Sequence, residues 1–417
     1  MPAASTSAID LGLPPAKARP ASRAARRRRA LLCWALIAPT LVFLVVTFAA
    51  PIAVFLYRSI DNSLLRETLV RTIPALQRWD GTGNPPADAY GALLADLIDA
   101  KQRAQTGRMA RRLSNNIPEF YEIVVVTARK LPKAVPDDAA AALQAIDARW
   151  ADPVLWQTMR QESGRLTPFY LLNAIGLRQD LQGGIGLQAP EMQIFPQVYL
   201  RTFVICAVVT LLCVLLSYPV AYTLYLLPTG TVNKLLVFVL IPFWTSLLIR
   251  TSSWVILLQN QGIVNDFLQW TGITSAPVPL IFNRFGVYVT MTQVLLPYAL
   301  LPIYTAMRTI PMSQLQAALS LGARPARSFL MVFLPQTLPG LGAGALLVFI
   351  LALGYYITPA LVGGPSDQMI SYFIAFFTNE TINWGQASAL GAWLLLFTLV
   401  MYAIFATRGS RGLKGTV

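Results

Sequence analysis

Side chains capable of catalysis are scarce in this sequence. Its 417 residues include no histidine, which excludes Ser-His and Cys-His nucleophile pairs and histidine-based zinc sites. The sequence also has no Gly-rich loop ending in Gly-Lys-Ser or Gly-Lys-Thr, the pattern that cradles nucleotide phosphates. We therefore expect that no bond is made or broken in this chain, that it holds no metal or cofactor, and that its energy source is a partner.

One apolar stretch contains a dense patch of aromatic and polar side chains. The patch consists of Trp244, Thr245, Ser246, Arg250 and Trp254. Because an aromatic wall can hold an organic cation by cation–π attraction, these residues are candidates for a solute pathway. The alternative interpretation is a membrane boundary, where tryptophan anchors a helix and Arg250 reaches toward the headgroups.

Carboxylates are the other candidate contacts for a cation. After residue 191 the only acids are Asp266, Asp367 and Glu380. We expect Asp367 and Glu380 near the outer ends of the last two apolar runs, where each is equally consistent with a solvated loop acid. Proton relays of secondary transporters usually need acids within the membrane, so this distribution disfavours carboxylate-driven transport.

The apolar runs place the chain in a membrane. The sequence is 55% hydrophobic and 12% charged, with a mean hydropathy of +0.54, which is not typical of a soluble domain. A helix needs roughly 20 residues to cross the hydrocarbon. Suitable runs lie at residues 30–57, 202–233, 235–258, 285–307, 328–366 and 381–407. The first run is long enough for an uncleaved anchor. In the fifth run, prolines and glycines place the start of the helix near Leu338.

Basic residues predict the orientation of these runs. They cluster before the first run, between the fourth and fifth, and after the last, so both termini are expected in the cytoplasm. The formal net charge of +14 is explained by this topology, and membrane lipid rather than nucleic acid is the predicted partner. The residues concerned are Lys17, Arg19, Arg23, residues 26–29, Arg308, Arg324, Arg327, Arg408, Arg411 and Lys414.

Residues 58–199 differ sharply in composition from the rest. They contain 16 of the 33 basic and 15 of the 19 acidic residues, which predicts a solvated insert on the outer face. Apolar spacing predicts helices over 88–112 and 137–150, capped by Asp88 and Asp137, and a strand over 122–128. No disulfide framework is expected, because the three cysteines all fall inside apolar runs.

The connection between the fourth and fifth runs has an ordered pattern. It reads Gln316-Ala317-Ala318, three residues, Gly322, nine residues, then Val332-Phe333-Leu334-Pro335. Residues 313–321 are predicted to form a short helix capped by Ser313 and ended by Gly322, with Leu315, Ala318 and Leu319 on one side. The apolar turn 329–334 then folds back before Pro335 begins the next helix. Such a segment is a rigid lever projecting from the membrane.

This spacing resembles the signature loop of binding-protein-dependent ABC permeases, Glu-Ala-Ala, three residues, Gly, nine residues, Ile-x-Leu-Pro. The sequence departs from it at Gln316, which replaces the usual acid, and at Val332. The resemblance implies that the loop docks on a separate ATPase, which binds ATP and Mg. The residues implied in docking are Ser313, Leu315, Gln316, Ala317, Ala318, Gly322, Ala323, Phe329, Leu334 and Pro335.

Further blocks, within residues 198–407, are similar to permeases of spermidine and putrescine importers. They are Ser217-Tyr218-Pro219-Val220-Ala221-Tyr222, Pro242-Phe243-Trp244-Thr245-Ser246, Gln261-Gly262-Ile263-Val264-Asn265, Leu296-Pro297-Tyr298 and Leu361-Val362-Gly363-Gly364-Pro365. The resemblance implies a polyamine substrate, two ABC ATPase subunits, a second permease subunit and a periplasmic solute-binding protein. Members of that family usually have only a short segment where this chain has residues 58–199.

The predicted fold is an all-α integral membrane protein with six transmembrane helices of the type I ABC importer permease kind. Its predicted segments are a basic tail (1–29), the first helix (30–57), an α-rich periplasmic insert (58–199), a permease core (200–407, coupling loop 308–338) and a tail (408–417). The alternatives are a permease for another small solute, such as an organic cation, an amino-acid derivative or a metal complex, and a channel or secondary transporter. A membrane-anchored sensor is disfavoured because the sequence lacks cytoplasmic signalling elements.

Overall fold

A computed structural model describes residues 23–180 and 183–414, and most of them are helical. Contacts divide the chain into two units, Met1–Val54 and Phe55–Val417. The first unit contains helix Arg23–Leu44 and a π-helical turn, Val45–Ala49, and it leads into helix Ala50–Tyr57. Of the predicted basic tail, residues 1–22 lie outside the described residues, and residues 23–29 already belong to the helix.

The described residues contain five helices long and apolar enough to cross a membrane, and six if one bent pair counts as a span. This confirms the predicted all-α membrane fold, in which each span satisfies its own backbone hydrogen bonds. We number the spans 1 to 6. They are Leu31–Tyr57, Ile194–Leu226, the pair Thr229–Trp244 and Leu247–Trp270, Arg284–Arg308, Pro325–Gly354 and Trp384–Phe405.

Span 3 is broken and begins earlier than predicted. Span 2 ends at Leu226, and Pro228 precedes helix Thr229–Leu240, so the predicted runs 202–233 and 235–258 divide in the wrong place. Proline disfavours helical geometry in the residue before it, which explains the new boundary. A 3-10 turn, Ile241–Trp244, follows, and the chain then bends by 94° before Leu247–Leu258.

Spans 2, 4 and 5 form the packed centre of the membrane region. Span 5 approaches span 4 closely, because a Cβ on Gly340 would clash with Ala306 and one on Gly344 would lie 3.0 Å from the carbonyl oxygen of Ala299. Small residues one helical turn apart allow this approach in membrane helices. Two short helices, Ile357–Val362 and Ile370–Asn379, connect spans 5 and 6.

The described residues of the insert are mostly helical, with one small hairpin and a β-bridge between Asp61 and Leu166. The hairpin pairs Leu177–Gln179 with Ile185–Leu187 in antiparallel register. The predicted strand 122–128 is wrong, because these residues belong to helix Phe120–Arg129. The insert helices are Ser63–Thr68, Thr72–Arg78, Ala87–Gln102, Thr106–Ser114, Phe120–Arg129, Ala139–Ile146, Pro153–Gln161 and Phe169–Asn173, with 3-10 turns at Ala148–Ala151 and Pro190–Met192.

Helix boundaries in the insert correct two predicted caps. The predicted helix 88–112 is two helices, because the chain reverses at Ala104, whose φ is +54°. Asp88 lies in the first turn rather than at the cap. The cap of helix Ala139–Ile146 is Asp138, whose side chain accepts the N–H of Ala141, and not Asp137.

The insert encloses its own hydrophobic core. Trp150, Trp156 and Phe120 are its largest fully buried side chains. Below this core, Arg112 and Glu162 form an ion pair in which both side chains are 5% exposed. Asn62 and Asn116 complete the network, since Arg112 donates to both and Asn116 donates to Glu162. A buried ion pair needs such additional hydrogen bonds to offset its desolvation.

The insert also contacts span 6 directly. Trp393 donates its indole N–H to the carbonyl oxygen of Leu171, at 3.0 Å. The guanidinium of Arg58 lies over the ring of Trp384, 5.2 Å from its centroid. These contacts join the insert to the first turns of the last span.

Candidate functional site

The segment between spans 4 and 5 begins with a short helix, Met312–Ser320, which we call the coupling helix. Leu315 and Ala318 are half-buried toward the spans, and Leu315 packs against their core. The predicted cap Ser313 is wrong, because Pro311 occupies the N-cap position and no side chain caps the helix. Leu319, predicted on the same side as Leu315 and Ala318, is exposed.

Gly322 ends the coupling helix, as predicted. Its φ is +85°, a backbone conformation that costs glycine little and other residues much more. The N–H of Gly322 bonds to the carbonyl oxygen of Leu319 at 2.9 Å, and the N–H of Ala323 bonds to that of Ala318 at 3.1 Å. This pair of bonds is a Schellman motif, which fixes the direction of the chain leaving the helix.

An aromatic cluster fastens this segment to span 2. The ring of Phe329 lies 5.1 Å from Tyr222, and that of Phe333 lies 5.4 Å from Tyr222 and 5.1 Å from Tyr225. Tyr225 also donates its hydroxyl hydrogen to the carbonyl oxygen of Ile310, at 3.0 Å. These contacts tie both ends of the segment to the end of span 2.

Span 5 starts earlier than the sequence predicts. Its helix runs unbroken from Pro325, so the predicted turn 329–334 and the helix start near Leu338 are wrong. Residues Phe329–Phe333 form a π-helical turn, in which the N–H of Leu334 bonds to the carbonyl oxygen of Phe329. Leu334 is half-buried and Pro335 is exposed in the first turn of the α-helix that follows. Such π-turns occur often at functional sites.

The far side of the coupling helix is an exposed, mostly apolar tip. Leu321 is 89% exposed, and Gln316, Ala317 and Leu319 are exposed beside it. The neighbouring arginines Arg308, Arg324 and Arg327 are exposed as well. An apolar tip with basic neighbours has the shape and charge to enter a groove with an acidic rim in another protein.

The predicted pathway residues lie at the break in span 3. Arg250 turns back along the chain, and its Nη2 donates to the carbonyl oxygens of Pro242 and, at 3.2 Å, Thr245. These carbonyls lie at the end of the first half of the span, and that of Pro242 also accepts the N–H of Thr245, at 3.2 Å. The guanidinium therefore caps the broken end, with Ser246 exposed at the start of the second half.

The two tryptophans of this patch have different surroundings. Trp244 is 94% exposed at the bend. Trp254 is half-buried and donates its indole N–H to Oε1 of Gln293 in span 4, at 3.3 Å. Beside the bend, the Phe243 ring lies 4.9 Å from that of Tyr298. The patch thus meets span 4 through one hydrogen bond and one ring contact.

Comparison with known proteins agrees with this geometry. Residues 214–408 match a family described as "Binding-protein-dependent transport system inner membrane component". The spermidine/putrescine transport system permease protein PotB of Salmonella typhimurium (strain SL1344) is 32% identical over 221 residues, which cover 53% of this chain and 77% of that protein. The chain belongs to this family of transport permeases.

Other proteins are also similar to the permease. PotB of Escherichia coli (strain K12) is 31% identical over 221 residues, covering 53% of the permease and 80% of that protein. The inner membrane ABC transporter permease protein YdcU of the same strain is 30% identical over 223 residues, covering 50% and 68%. A crystal structure of a bacterial ABC transporter that imports alginate covers 54% of the permease and 80% of its own chain, with a TM-score of 0.45 and 18% identity.

The two acidic residues of the permease that were predicted to contact a cation have surroundings different from those of the span 3 patch. Asp367 is buried and accepts a hydrogen bond from Nε of Arg284, at 2.9 Å, and one from the N–H of Gly364, at 3.3 Å. Glu380 is exposed at the end of helix Ile370–Asn379. The Asp367 carboxylate is thus already occupied by the permease's own groups.

Sequence reasoning did not single out the tyrosines that hold the coupling segment. Tyr218, Tyr222 and Tyr225 lie four and three residues apart, the spacing of one helix face. Tyr218 also shares a hydrogen bond with Thr337, at 3.2 Å. This spacing in span 2, together with the aromatic pair four residues apart at Phe329 and Phe333, is the signal that predicts such a cluster in a permease.

Proposed function

We propose that the chain forms the membrane pathway of an ATP-driven importer for a polyamine, spermidine or putrescine, delivered by an external solute-binding protein. Two ATPase subunits bind ATP and Mg on the side of the coupling helix, and a second permease subunit completes the pathway. The substrate class is supported by the PotB relatives, which are named as spermidine/putrescine permeases.

The proposal rests mainly on the coupling helix and its contacts. Its exposed tip is held at one end by the Schellman motif at Gly322 and at the other by Tyr225, which bonds to Ile310. A partner that moves this tip therefore moves spans 2 and 5 together. ATP-driven closure of the two ATPase subunits shifts the permease between two conformations, one open to each side of the membrane.

The break in span 3 offers groups that can hold a cationic solute. Residues 192–265 contain no acid, so a cation here depends on aromatic faces and carbonyl oxygens. Trp244 offers an exposed face, while the charge of Arg250 is directed at backbone carbonyls of the same span. A different small solute remains the second candidate, since the aromatic and carbonyl groups are not specific to polyamines.

The decisive experiment measures ATP hydrolysis by the complex purified through this chain and reconstituted in lipid. Wild-type protein is compared with Gly322→Asp, which strains the Schellman motif, and with Gly342→Ala. The latter is a matched control in span 5, where an added Cβ has nothing within 4 Å. We expect hydrolysis to rise with binding protein plus spermidine in wild type and control, and this rise to be lost in Gly322→Asp.

Two results would overturn parts of the proposal. If no ATPase co-purifies and spermidine flux persists without nucleotide, the chain is a channel or secondary carrier. If hydrolysis responds to binding protein with a different small solute but not to spermidine or putrescine, the importer stands and the polyamine assignment fails.

A further inference from the structure

The last part of span 3 is a short helix, Ile263–Trp270, separated by four residues from helix Leu247–Leu258; we call it the surface helix. Span 4 begins after it and runs toward the coupling helix. Since one crossing separates the two short helices, the surface helix lies at the membrane side opposite the coupling helix. This position does not depend on which solute the chain transports.

The surface helix has three separate faces. Val264, Asn265 and Leu268 face the protein, with Asn265 fully buried. Asp266 and Gln269 form a polar, exposed face.

The third face is apolar and uncovered. Ile263, Phe267 and Trp270 are 67%, 56% and 82% exposed, and their spacing of four and three residues aligns them along one stripe. The Phe267 and Trp270 rings lie 6.0 Å apart, so the stripe is continuous. Such an apolar stripe beside a polar one is typical of a helix lying in a membrane surface.

The buried face is fixed by three hydrogen bonds of the Asn265 side chain, which we call the Asn265 clasp. The side chain of Asn265 donates to the carbonyl oxygens of Gln259, at 3.1 Å, and Val278, at 3.0 Å, and it accepts the N–H of Val278, at 2.8 Å. Next to it, a Cβ on Gly262 would clash with three carbonyl oxygens. The helix therefore cannot rotate to bury its apolar stripe against the protein.

The surroundings of the stripe favour lipid over protein as its partner. Between Arg250 and Arg284 the sequence has a single charged residue, Asp266, so little charge has to be kept away from the hydrocarbon. Ile256 of the preceding helix and Ile273 after the surface helix are also exposed, which extends the apolar surface on both sides. Tryptophan is enriched where hydrocarbon meets headgroups.

We infer that the stripe Ile263, Phe267 and Trp270 lies in the lipid leaflet opposite the coupling helix, at the boundary of headgroups and acyl chains. The surface helix thereby holds the Asn265 clasp, and with it the loop that leads into span 4, at a fixed depth. The outer end of span 4 is set by the membrane as well as by protein contacts.

The test uses single cysteines in the full chain, reconstituted into vesicles of phosphatidylethanolamine and phosphatidylglycerol. Phe267→Cys reports the apolar stripe, and Gln269→Cys, on the polar face of the same helix, is the matched control. Both are made with Cys33→Ser, which leaves the buried Cys206 and Cys213, whose labelling in the Cys33→Ser parent gives the background. We measure labelling by a membrane-impermeant maleimide, and quenching of an attached environment-sensitive fluorophore by lipids brominated in the upper acyl chain.

We expect Phe267→Cys to react about tenfold more slowly than Gln269→Cys, and only its fluorophore to be quenched by brominated lipid. Equal labelling of the two cysteines in vesicles would overturn the inference, and protection that then appears on adding the solute-binding protein would identify a docking surface instead. Slow labelling without quenching would also overturn it, because a second protein chain rather than lipid would then cover the stripe.

Discussion

The ring of Tyr170 in the insert occupies the space that a side chain on Gly385 of span 6 would take. A Cβ on Gly385 would lie within 2.7 Å of Cδ2 of that ring. Tyr170 is itself buried, and the guanidinium of Arg112 lies 5.0 Å from its ring centroid. The insert's buried ion pair and the last span therefore meet at one aromatic side chain.

Gly385→Ala should loosen the insert. Displacing the Tyr170 ring costs about 1–3 kcal/mol by overpacking, and we expect a lower midpoint of thermal unfolding and faster proteolysis of the insert. Intrinsic tryptophan fluorescence and limited trypsin digestion of the detergent-solubilised protein measure both effects. Gly342→Ala is the control, and an equal loss of stability in both variants would contradict a specific interlock.

Phe329→Ala should uncouple the ATPase from the spans. The substitution removes ring contacts to Tyr222 and Phe333 and so weakens the local packing. We expect the ATPase subunits to co-purify normally while substrate-stimulated hydrolysis falls severalfold. Leu330→Ala changes an exposed neighbour and should leave stimulation intact. Full stimulation in Phe329→Ala would show that the aromatic cluster does not transmit the movement.

Arg250 should behave as a positioning residue. Its guanidinium holds the carbonyls of Pro242 and Thr245 at the break of span 3. Arg250→Ala removes the guanidinium that joins these two carbonyls, and we expect a lower maximal transport rate, with Arg250→Lys restoring part of it. In uptake by proteoliposomes, the KM for spermidine should stay close to wild type in the lysine variant. A changed KM with an unchanged maximal rate would instead indicate direct contact with solute.

Acid should weaken the insert through Asp147. The Arg149 side chain donates hydrogen bonds to Asp147, and these contacts lower the pKa of that carboxyl. A lowered native pKa means that the stability from this contact is complete above the ordinary value of about 3.9 and is lost as pH falls through the lowered value. Asp147→Asn should therefore reduce stability near neutral pH and flatten its decline in acid.

Unfolding followed by tryptophan fluorescence at a series of pH values tests this expectation. Asp137→Asn, at an exposed position of the same insert, is the control and should keep the wild-type profile. If Asp147→Asn also keeps that profile, Asp147 does not contribute to the acid sensitivity.

The features that were predicted correctly from the sequence have local causes. Apolar length alone marks the spans, and Gly322 marks the end of the coupling helix because only its conformational freedom suits that position. The strand predicted around Val124 was wrong, since β-branched residues favour strands and the burial of Ile123, Val124 and Thr127 on one helix face depends on tertiary packing.

Other features depend on distant partners and are not periodic in sequence. The start of span 5 was misplaced because Pro335 lies in the first turn of an α-helix and follows a π-turn, where its missing N–H costs little. The contact of Tyr170 with Gly385 joins residues more than 200 positions apart, and neither residue type predicts that contact. Arg250 was left open for a different reason, because its length and charge are equally consistent with a solute contact, although its partners Pro242 and Thr245 are close in sequence.

The Tyr170 ring has a consequence for anyone who shortens this protein. Deleting the insert to obtain a minimal membrane core would empty the space beside Gly385 that the Tyr170 ring fills and would remove Tyr170 from the buried cluster that it shares with Ala389 and Leu390. A truncated version would therefore need a bulky apolar replacement at position 385, and the insert is a structural part of the membrane domain rather than a detachable accessory.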